Sequence, residues 1–155
     1  MARARGIKIV AKNRKARHDY HILETYEAGI ALKGTEVKSI RSGAINLADS
    51  YAQIKNGELF LIGCHISPYE HGNRFNVDTL RERKLLMHRH EIDRLDGKLK
   101  EQGLTLVPLE IYFKNGKVKL GLGLAKGKRD YDKRQALAKR QAERDIDRSL
   151  KEFNR

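Results

Sequence analysis

A segment near the N-terminus combines the side-chain types that are best suited to contact RNA. It covers residues 13–20 and reads NRKARHDY. Arginine and lysine neutralise phosphates, Asn13 can hydrogen-bond base edges or ribose hydroxyls, and His18 and Tyr20 offer flat rings for unstacked bases. A run of charges is often only a solvated surface, so this segment alone leaves both an RNA contact and a plain exposed face open.

The same region contains groups that could exchange protons in a nuclease. His18 and Asp19 lie close in sequence to Glu24 and Glu27. Acid–base catalysis needs such groups beside a nucleophile or a metal cluster, and no sequence pattern supplies either one here. We therefore expect no catalytic residues and no enzymatic activity, with an RNA-cleaving barrel as the enzymatic alternative.

Two other patterns suggest cofactors but lack the required spacing. The glycines of GLGLAKGKR, residues 121–129, fit neither of the common phosphate-binding loops. The histidines at 65, 71, 88 and 90 are not spaced with cysteines as zinc ligands are, and Cys64 is the only cysteine. We expect no metal, no cofactor and a buried, unreactive thiol at Cys64, which points to a reducing compartment.

The composition is that of a small, strongly basic protein. Its 155 residues include 33 Lys and Arg against 20 Asp and Glu, a formal charge of +13, which attracts polyanions such as nucleic acid or an anionic membrane. The sequence has no apolar run of about 18 residues or more, and its first segment, MARARGIKIV, lacks the apolar stretch of a signal peptide. We expect one domain with an extension, monomeric and cytoplasmic.

Two Asn-Gly pairs, each flanked by alternating apolar residues, predict β-hairpins. Asn56-Gly57 separates Ala52 and Ile54 from the apolar run 59–62. Asn115-Gly116 separates two strands whose core-facing residues follow from two-residue alternation. On the first strand these residues are Thr105, Val107, Leu109, Ile111 and Phe113, and on the second they are Val118, Leu120, Leu122 and Leu124.

The opposite face of the last strand has an unusual composition. It consists of Lys117, Lys119, Gly121, Gly123 and Ala125. Glycines in a strand commonly permit curvature or a bulge, and we favour that explanation. The alternative is a cationic surface of low relief that an RNA backbone can approach.

The remaining patterns predict further strands and helices. Strands are expected over residues 7–11 and 20–32, the second with a bulge or bend at Ala28-Gly29. Thr35 is a suitable N-cap for a short helix through Ile40, and residues 81–101 have the apolar spacing of one amphipathic helix. Short antiparallel strands with inserted helices predict a mainly β fold, a small closed barrel of the OB type, whose open face commonly binds irregular RNA.

The segment 126–155 differs in kind from the barrel, which we assign to residues 1–125. It holds 11 Lys and Arg and 6 Asp and Glu, with no Gly or Pro after Gly127. Its thin apolar stripe consists of Ala142, Ile146, Leu150 and Phe153. Isolated helices of this length are marginal in water, so we expect a flexible, conditionally helical tail, the alternative being a solvated helix packed on the barrel.

Four motifs, taken in order, resemble a known family. They are NRKARHDY, EAGIALKGTEVKSIRSG, RERKLL and KVKLGLGLAKGKRDYDKR, and ALKGTEVKS is the most diagnostic stretch because composition gives no reason for it. Together they resemble small protein B, the SsrA-binding family that partners transfer-messenger RNA (tmRNA) in bacterial ribosome rescue. The match covers roughly residues 7–134, and the rest of the tail is similar in composition only.

The resemblance implies an RNA-binding protein that holds the tRNA-like domain of tmRNA and substitutes for the anticodon arm that this RNA lacks. Where the motifs match, the family's RNA contacts fall on Asn13, His18, Glu27, Leu86 and Lys119, with Arg17 and Lys84 as neighbours. The cations would neutralise phosphate, Asn13 and Glu27 would make polar contacts to bases or sugars, and Leu86 would supply apolar packing. For Glu27, the alternative is an internal ion pair that orients an arginine.

The resemblance also implies that the tail probes the decoding centre and the empty messenger channel of a stalled ribosome and becomes helical there. Its ribosome-binding residues would be Lys126, Lys128, Arg129, Tyr131, Asp132, Lys133 and Arg134. Tyr131 stands where other members have histidine, so stacking on a ribosomal base is retained. The implied partners are tmRNA, the ribosome with its small-subunit rRNA, and elongation factor Tu indirectly through tmRNA. A general ribosomal or initiation-factor-like OB protein is the competing hypothesis.

Overall fold

Antiparallel strands make up the frame of the protein, and helices lie between and after them. The computed structural model describes residues 6–69, 77–128 and 130–153. The strands are β1 (Ile7–Lys12), β2 (Tyr20–Ile30), β3 (Ile45–Asn46), β4 (Tyr51–Lys55), β5 (Glu58–Ile62), β6 (His65–Ile66), β7 (Arg83–Leu86), β8 (Thr105–Lys114) and β9 (Lys117–Gly127). The helices are α1 (Arg14–Asp19), α2 (Gly34–Arg41), α3 (Arg89–Gln102) and α4 (Asp130–Phe153).

Within the described residues, six strands close into a ring. The antiparallel pairs run β8-β9-β2-β7-β5-β4 and back to β8. The closure between β4 and β8 places Ala52 opposite Leu106, and β1 extends the sheet by pairing with the later part of β8. The predicted mainly β fold, with antiparallel strands that close on themselves and short inserted helices, is confirmed, and the tail contains the helix α4.

Both predicted hairpins are present. Asn56-Gly57 and Asn115-Gly116 have positive φ angles, 51° for each asparagine and 76° and 79° for the glycines. Two successive residues of this kind form a type I′ turn, whose twist matches that of the flanking strands. The turns therefore set the register of β4 with β5 and of β8 with β9.

The core lies inside the ring and is built largely from leucine and isoleucine. The predicted core positions of β9 are confirmed, because Leu120, Leu122 and Leu124 are at most 2% exposed. Leu59 and Leu61 of β5 belong to the same buried cluster. Complete burial of one such side chain stabilises a fold by about 1.5–3 kcal/mol. The inward residues of these strands thus hold the ring together.

Strand β8 does not keep one face toward the core along its whole length. Leu109 is an extra residue, inserted where the register with β9 shifts. Beyond it Ile111 and Phe113 face the core of the ring, whereas Val107 and Leu109 itself pack in a second, smaller cluster beneath α1. The prediction that alternate residues of 105–113 share one face is wrong, because the bulge shifts the alternation by one residue.

The second cluster covers part of the outward surface of β9. A Cβ atom added at Gly123 would lie 3.0 Å from Leu109 Cδ1, and Ala125 is fully buried. The glycine is therefore needed for close packing of protein against protein. An RNA backbone therefore cannot approach Gly123 and Ala125 as the alternative required. The accessible cations of this face, Lys117 and Lys119, lie at the start of the strand.

Two local details differ from the prediction. Strand β2 bulges at Leu23 and not at Ala28-Gly29, which pairs in register with β9. The N-cap of α2 is Lys33 and not Thr35, and the backbone N–H of Lys33 donates to Glu36 Oε1 across 2.9 Å. A glutamate at the third helical position satisfies this backbone donor, so the helix can begin without a threonine cap.

The predicted helix over residues 81–101 begins instead with a strand, β7, and becomes helical only at α3. Arg83 is fully buried, with Nε 2.6 Å from Glu36 Oε2 and Nη1 2.7 Å from the carbonyl oxygen of Cys64. Burial alone would raise the pKa of Glu36, but hydrogen bonds from Arg81 and Arg83 hold it below its usual value. A buried charge requires such partners, and they fix this segment in an extended form between β5 and β2.

Cys64 is fully buried, and burial raises the pKa of its thiol to about 11. The thiol is therefore protonated at neutral pH, and the expected burial of Cys64 is confirmed, while its low reactivity stays a prediction. Separately, no helix in the described ranges is long and apolar enough to cross a membrane.

Candidate RNA-binding surface

Four of the predicted RNA contacts lie together on one side of the sheet. They are Glu27 on β2, Lys84 and Leu86 on β7, and Lys119 on β9. Gly29 of β2 pairs with Leu86 on one side and Lys119 on the other, so the three strands are direct neighbours. We call their outward surface, together with the adjoining Tyr112 and Lys114 of β8, the outer face.

A shallow depression of about 550 Å³ opens on the outer face. Its lining includes Glu27, Gly29, Leu86, His88 and Lys119. Carboxylate, apolar, imidazole and ammonium groups therefore border one site. Its volume is within the range of small-ligand sites, which makes it large enough for an unstacked base with its sugar.

Glu27 is the organising residue of the outer face. The hydroxyl of Tyr112 donates to Glu27 Oε2 across 2.5 Å, and Lys114 Nζ lies 3.4 Å from both carboxylate oxygens. The hydrogen bond from Tyr112, reinforced by Lys114 and by the charge of Lys119, lowers the pKa of Glu27 although partial burial opposes this. The partners of Glu27 are thus a tyrosine and lysines, where an arginine was the predicted alternative.

Lys84 and Leu86 remain available at the surface of β7. Lys84 Nζ lies 3.3 Å from Glu58 Oε1, with the two side chains 47% and 51% exposed. Such a solvated pair contributes little and can be exchanged for a phosphate. Leu86 is 53% exposed, and its Cβ lies 3.3 Å from the position of a Cβ added at Gly29. The glycine thus leaves room for Leu86 to lie flat across the sheet.

Asn13 is placed differently from the other predicted contacts. It is only 4% exposed and caps α1, its Oδ1 accepting from Ala16 N across 3.1 Å. Its Nδ2 donates to the carbonyl oxygens of Leu47 and Pro108, at 3.1 and 2.9 Å. Because the amide group is already bonded to protein at both ends, Asn13 fixes α1 against the barrel and offers no open edge for a base.

Arg17 and His18 lie in the last turn of α1, beside the end of β9. His18 Nδ1 is 2.9 Å from Asp19 Oδ1. The backbone N–H of Lys128 donates to the carbonyl oxygen of Asp19 across 2.8 Å, and Lys128 Nζ lies 3.4 Å from the carbonyl oxygen of Arg17. Helix α1 is therefore tied to the point where the tail leaves the barrel.

A second depression, of about 530 Å³, lies between α1 and α4. We call it the basic cleft. Its lining is composed of Arg14, Arg17, His18, Lys128, Lys139, Arg140 and Glu143. With several cations and a single carboxylate in this lining, the cleft attracts anions such as phosphate.

The outer face and the basic cleft lie toward opposite ends of β2. Tyr20 pairs with Gly127 near the cleft, and Glu27 pairs with Gly121 on the outer face. Seven strand residues span roughly 20 Å, so the two groups cannot contact the same nucleotide. The structure therefore divides the predicted RNA contacts into two separate groups.

The tail forms helix α4, and its first residues are described only in part. Lys126 is exposed and Lys128 half-buried. Arg129 lies outside the described residues, as do the side chains of Tyr131, Asp132 and Lys133, whereas Arg134 is exposed. Conditional folding of the tail and the roles of these residues stay predictions.

Sequence reasoning missed Tyr112 and Lys114, which complete the outer face. Their signal was present, since they alternate with the core residues Ile111 and Phe113 and must point outward.

For the described part of the chain, no group of three or more His, Cys, Asp or Glu residues is arranged to hold a metal ion.

Comparison with known proteins gives consistent matches. A model of the family described as SmpB protein matches residues 10–152. Proteins named SsrA-binding protein include one from Acetivibrio thermocellus, 66% identical over 145 residues (94% of this chain and 94% of the relative), and one from Clostridium beijerinckii, 59% identical over 155 residues (100% and 99%). A solved structure described as "tmRNA-SmpB: a journey to the center of the bacterial ribosome" has a chain 56% identical, with a TM-score of 0.66, covering 82% of this chain and 93% of that chain.

Proposed function

The chain belongs to the SmpB protein family, and from this premise we propose that it binds tmRNA, the SsrA RNA, and acts with it on stalled ribosomes in trans-translation. The observation that carries this function is the identity of 59–66% to SsrA-binding proteins along nearly their whole length. The protein is thus an RNA-binding protein whose partners are tmRNA and the ribosome.

The outer face is the proposed contact with the tRNA-like domain of tmRNA. Lys119 and Lys84 neutralise phosphates, and Leu86 supplies apolar packing for a base or sugar. Glu27 contributes mainly by holding Tyr112 and Lys114 in place, because its carboxylate accepts from both. The barrel, residues 1–125, thereby takes the place of the anticodon arm that tmRNA lacks.

The tail forms the proposed contact with the ribosome, whereas Arg17 and His18, on the barrel side of the basic cleft, are proposed contacts to tmRNA. Arg17 and His18 lie where β9 continues into the tail, and Asn13 holds α1 there. The tail, residues 126–155, enters the decoding centre and the empty messenger channel, with its contacts at Lys126, Lys128, Arg129, Tyr131, Asp132, Lys133 and Arg134. When messenger RNA fills the channel the tail has no site, and when the channel is empty phosphate contacts offset the cost of ordering the helix.

We further propose that the protein acts without bond chemistry, as a monomer in the cytoplasm, and meets elongation factor Tu only through tmRNA. Labelled RNA incubated with the full chain and Mg²⁺ or Ca²⁺ is expected to stay intact. Cleavage that is abolished by His18→Ala would instead support a nuclease, because His18 would then supply an acid–base group.

The function is tested by comparing labelled tmRNA with ordinary tRNA in gel shifts at two salt concentrations. Non-specific attraction to phosphates weakens steeply with salt, whereas shape-dependent contacts weaken less. The expected result is a preference for tmRNA that persists at the higher salt. Equal binding of the two RNAs, or a preference lost with salt, would favour a general basic ribosomal protein.

A further inference from the structure

The two halves of helix α4 differ in charge. The first half, residues 130–141, contains four Lys and Arg and two Asp, whereas the second half, residues 142–153, contains three Lys and Arg and four Asp and Glu. Phosphates attract the first half and have no net attraction for the second. The end of the tail therefore has a chemistry that differs from that of an RNA-binding helix.

An uncovered apolar stripe lies on this second half. Ile146 is 59% exposed, Leu150 is 55% exposed and Phe153 is 86% exposed. Together with Asp145 and Ser149 they line a groove of about 480 Å³. Three large apolar side chains on one face of a helix are typical of an interaction surface.

Helix geometry places the charges around the stripe in a definite order. With about 100° per residue, and Ile146 as the reference, Leu150 and Phe153 lie within about 40° of the stripe's centre. The carboxylates Asp145, Asp147 and Glu152 lie at about 100–120° on its two sides. The cations Arg144, Arg148 and Lys151 lie behind, at about 140–160°. The stripe is thus bordered by acids, and the cations face the other way.

We propose that this acid-bordered stripe docks on a ribosomal protein whose surface offers an apolar groove flanked by lysine or arginine. The inference rests on the proposed function, since it assumes that the tail reaches the ribosome. An rRNA groove would bring phosphates toward the three carboxylates. A second copy would pair acid borders with each other. An apolar groove with basic edges can pack against the stripe and pair with the carboxylates on its border. The cations on the opposite side of the helix then face rRNA.

Photocrosslinking on purified stalled ribosomes tests the orientation directly. The full chain, bound to tmRNA, carries p-benzoylphenylalanine in place of Ser149, within the groove, or in place of Arg148, behind it. We expect the probe at 149 to attach to a ribosomal protein and the probe at 148 to attach to rRNA. The proposal would be overturned if the probe at 149 attached mainly to rRNA, to a second copy or to the barrel of the same chain. It would also be overturned if the probe at 148 attached to the ribosome and the probe at 149 attached to nothing.

A charge-reversal variant distinguishes a cationic protein groove from rRNA, because added positive charge would weaken binding to the groove and strengthen binding to rRNA. The variant Asp147→Lys with Glu152→Lys keeps good helix formers near the C-terminal end, where cations suit the helix dipole. It loses the opposite charges that lie four residues from Lys151 and Arg148, so circular dichroism is used to check that its helix content is retained. The variant should weaken binding of the tmRNA complex to stalled ribosomes by about three- to tenfold, through repulsion from the proposed cationic groove. Unchanged or tighter binding would refute a protein partner. If the unmodified complex does not bind ribosomes at all, the proposed function itself fails.

Discussion

Tyr112 and Glu27 are joined across the outer face by a hydrogen bond of 2.5 Å, although 85 residues separate them in sequence. The bond links β8 to β2 on the side of the sheet that faces away from the core. It also holds Glu27 ionised, since its pKa is lowered. On the proposed RNA-binding surface, this carboxylate thereby positions the neighbouring side chains.

Tyr112→Phe and Glu27→Gln should each lower the free energy of unfolding by about 1 kcal/mol, because each weakens the hydrogen bond between Tyr112 and the Glu27 carboxylate. The loss is modest because the Glu27 side chain is 41% exposed, so that solvent screens its charge. The double variant should lose less than the sum. Because folding lowers the pKa of Glu27, the effect of Tyr112→Phe should be full near pH 6 and shrink as the pH falls below the ordinary value of 4.5. Urea denaturation measures these quantities. Additive losses would show that the two residues act independently.

Lys119→Ala should weaken binding to tmRNA and reduce the slope of log affinity against log salt by roughly 0.7–0.9, the loss of one phosphate contact. Lys100→Ala is the matched control, since Lys100 is also surface-exposed but lies on α3 and pairs with Asp96. Its slope should equal that of the parent chain. An unchanged slope in Lys119→Ala would remove Lys119 from the RNA contacts.

Leu86→Ala should reduce affinity for tmRNA by several-fold, because the exposed leucine provides the apolar part of the outer face. Leu80→Ala is an appropriate comparison, as Leu80 is 54% exposed against 53% for Leu86. Both variants should remain nearly as stable as the parent, since little buried area is lost. Gel shifts and thermal unfolding measure both properties. Equal affinities of the two variants would show that Leu86 has no special role.

Asn13→Ala should destabilise the fold by about 3 kcal/mol, because it removes a helix cap worth about 1 kcal/mol and leaves two buried carbonyl groups without their donor. The control is Asn46→Ala, whose exposed side chain accepts from Ala48 N, and which should cost less than about 1 kcal/mol. Urea denaturation gives both values. If Asn13→Ala instead kept its stability and lost tmRNA affinity, Asn13 would be a direct RNA contact.

Local features of the fold could be predicted because neighbouring residues determine them. The Asn56-Gly57 and Asn115-Gly116 turns depend on two residues that tolerate positive φ. The inward leucines of β9 follow from alternation alone. The grouping of Glu27, Leu86 and Lys119 came from family motifs, and the structure shows that they share one surface.

Features set by residues far apart in sequence could not be predicted. Arg83 is fixed by Glu36, 47 residues away, and this pairing makes β7 a strand where local apolar spacing indicated a helix. The family motif suggested that Asn13 contacts RNA. The local sequence does not reveal that its side chain is buried and donates to the carbonyl oxygen of Pro108, 95 residues away. The bulge at Leu109 likewise depends on how β8 meets β9.

The central claim is that the barrel binds tmRNA without the tail, which acts only on the ribosome. The measurement that tests it most directly is the affinity for tmRNA of a chain that ends at residue 129. Because the outer face lies away from α4, the affinity should stay within about twofold of the full chain, while peptide tagging on stalled ribosomes is lost. A fall of tenfold or more, equivalent to about 1.4 kcal/mol, would contradict this division between barrel and tail.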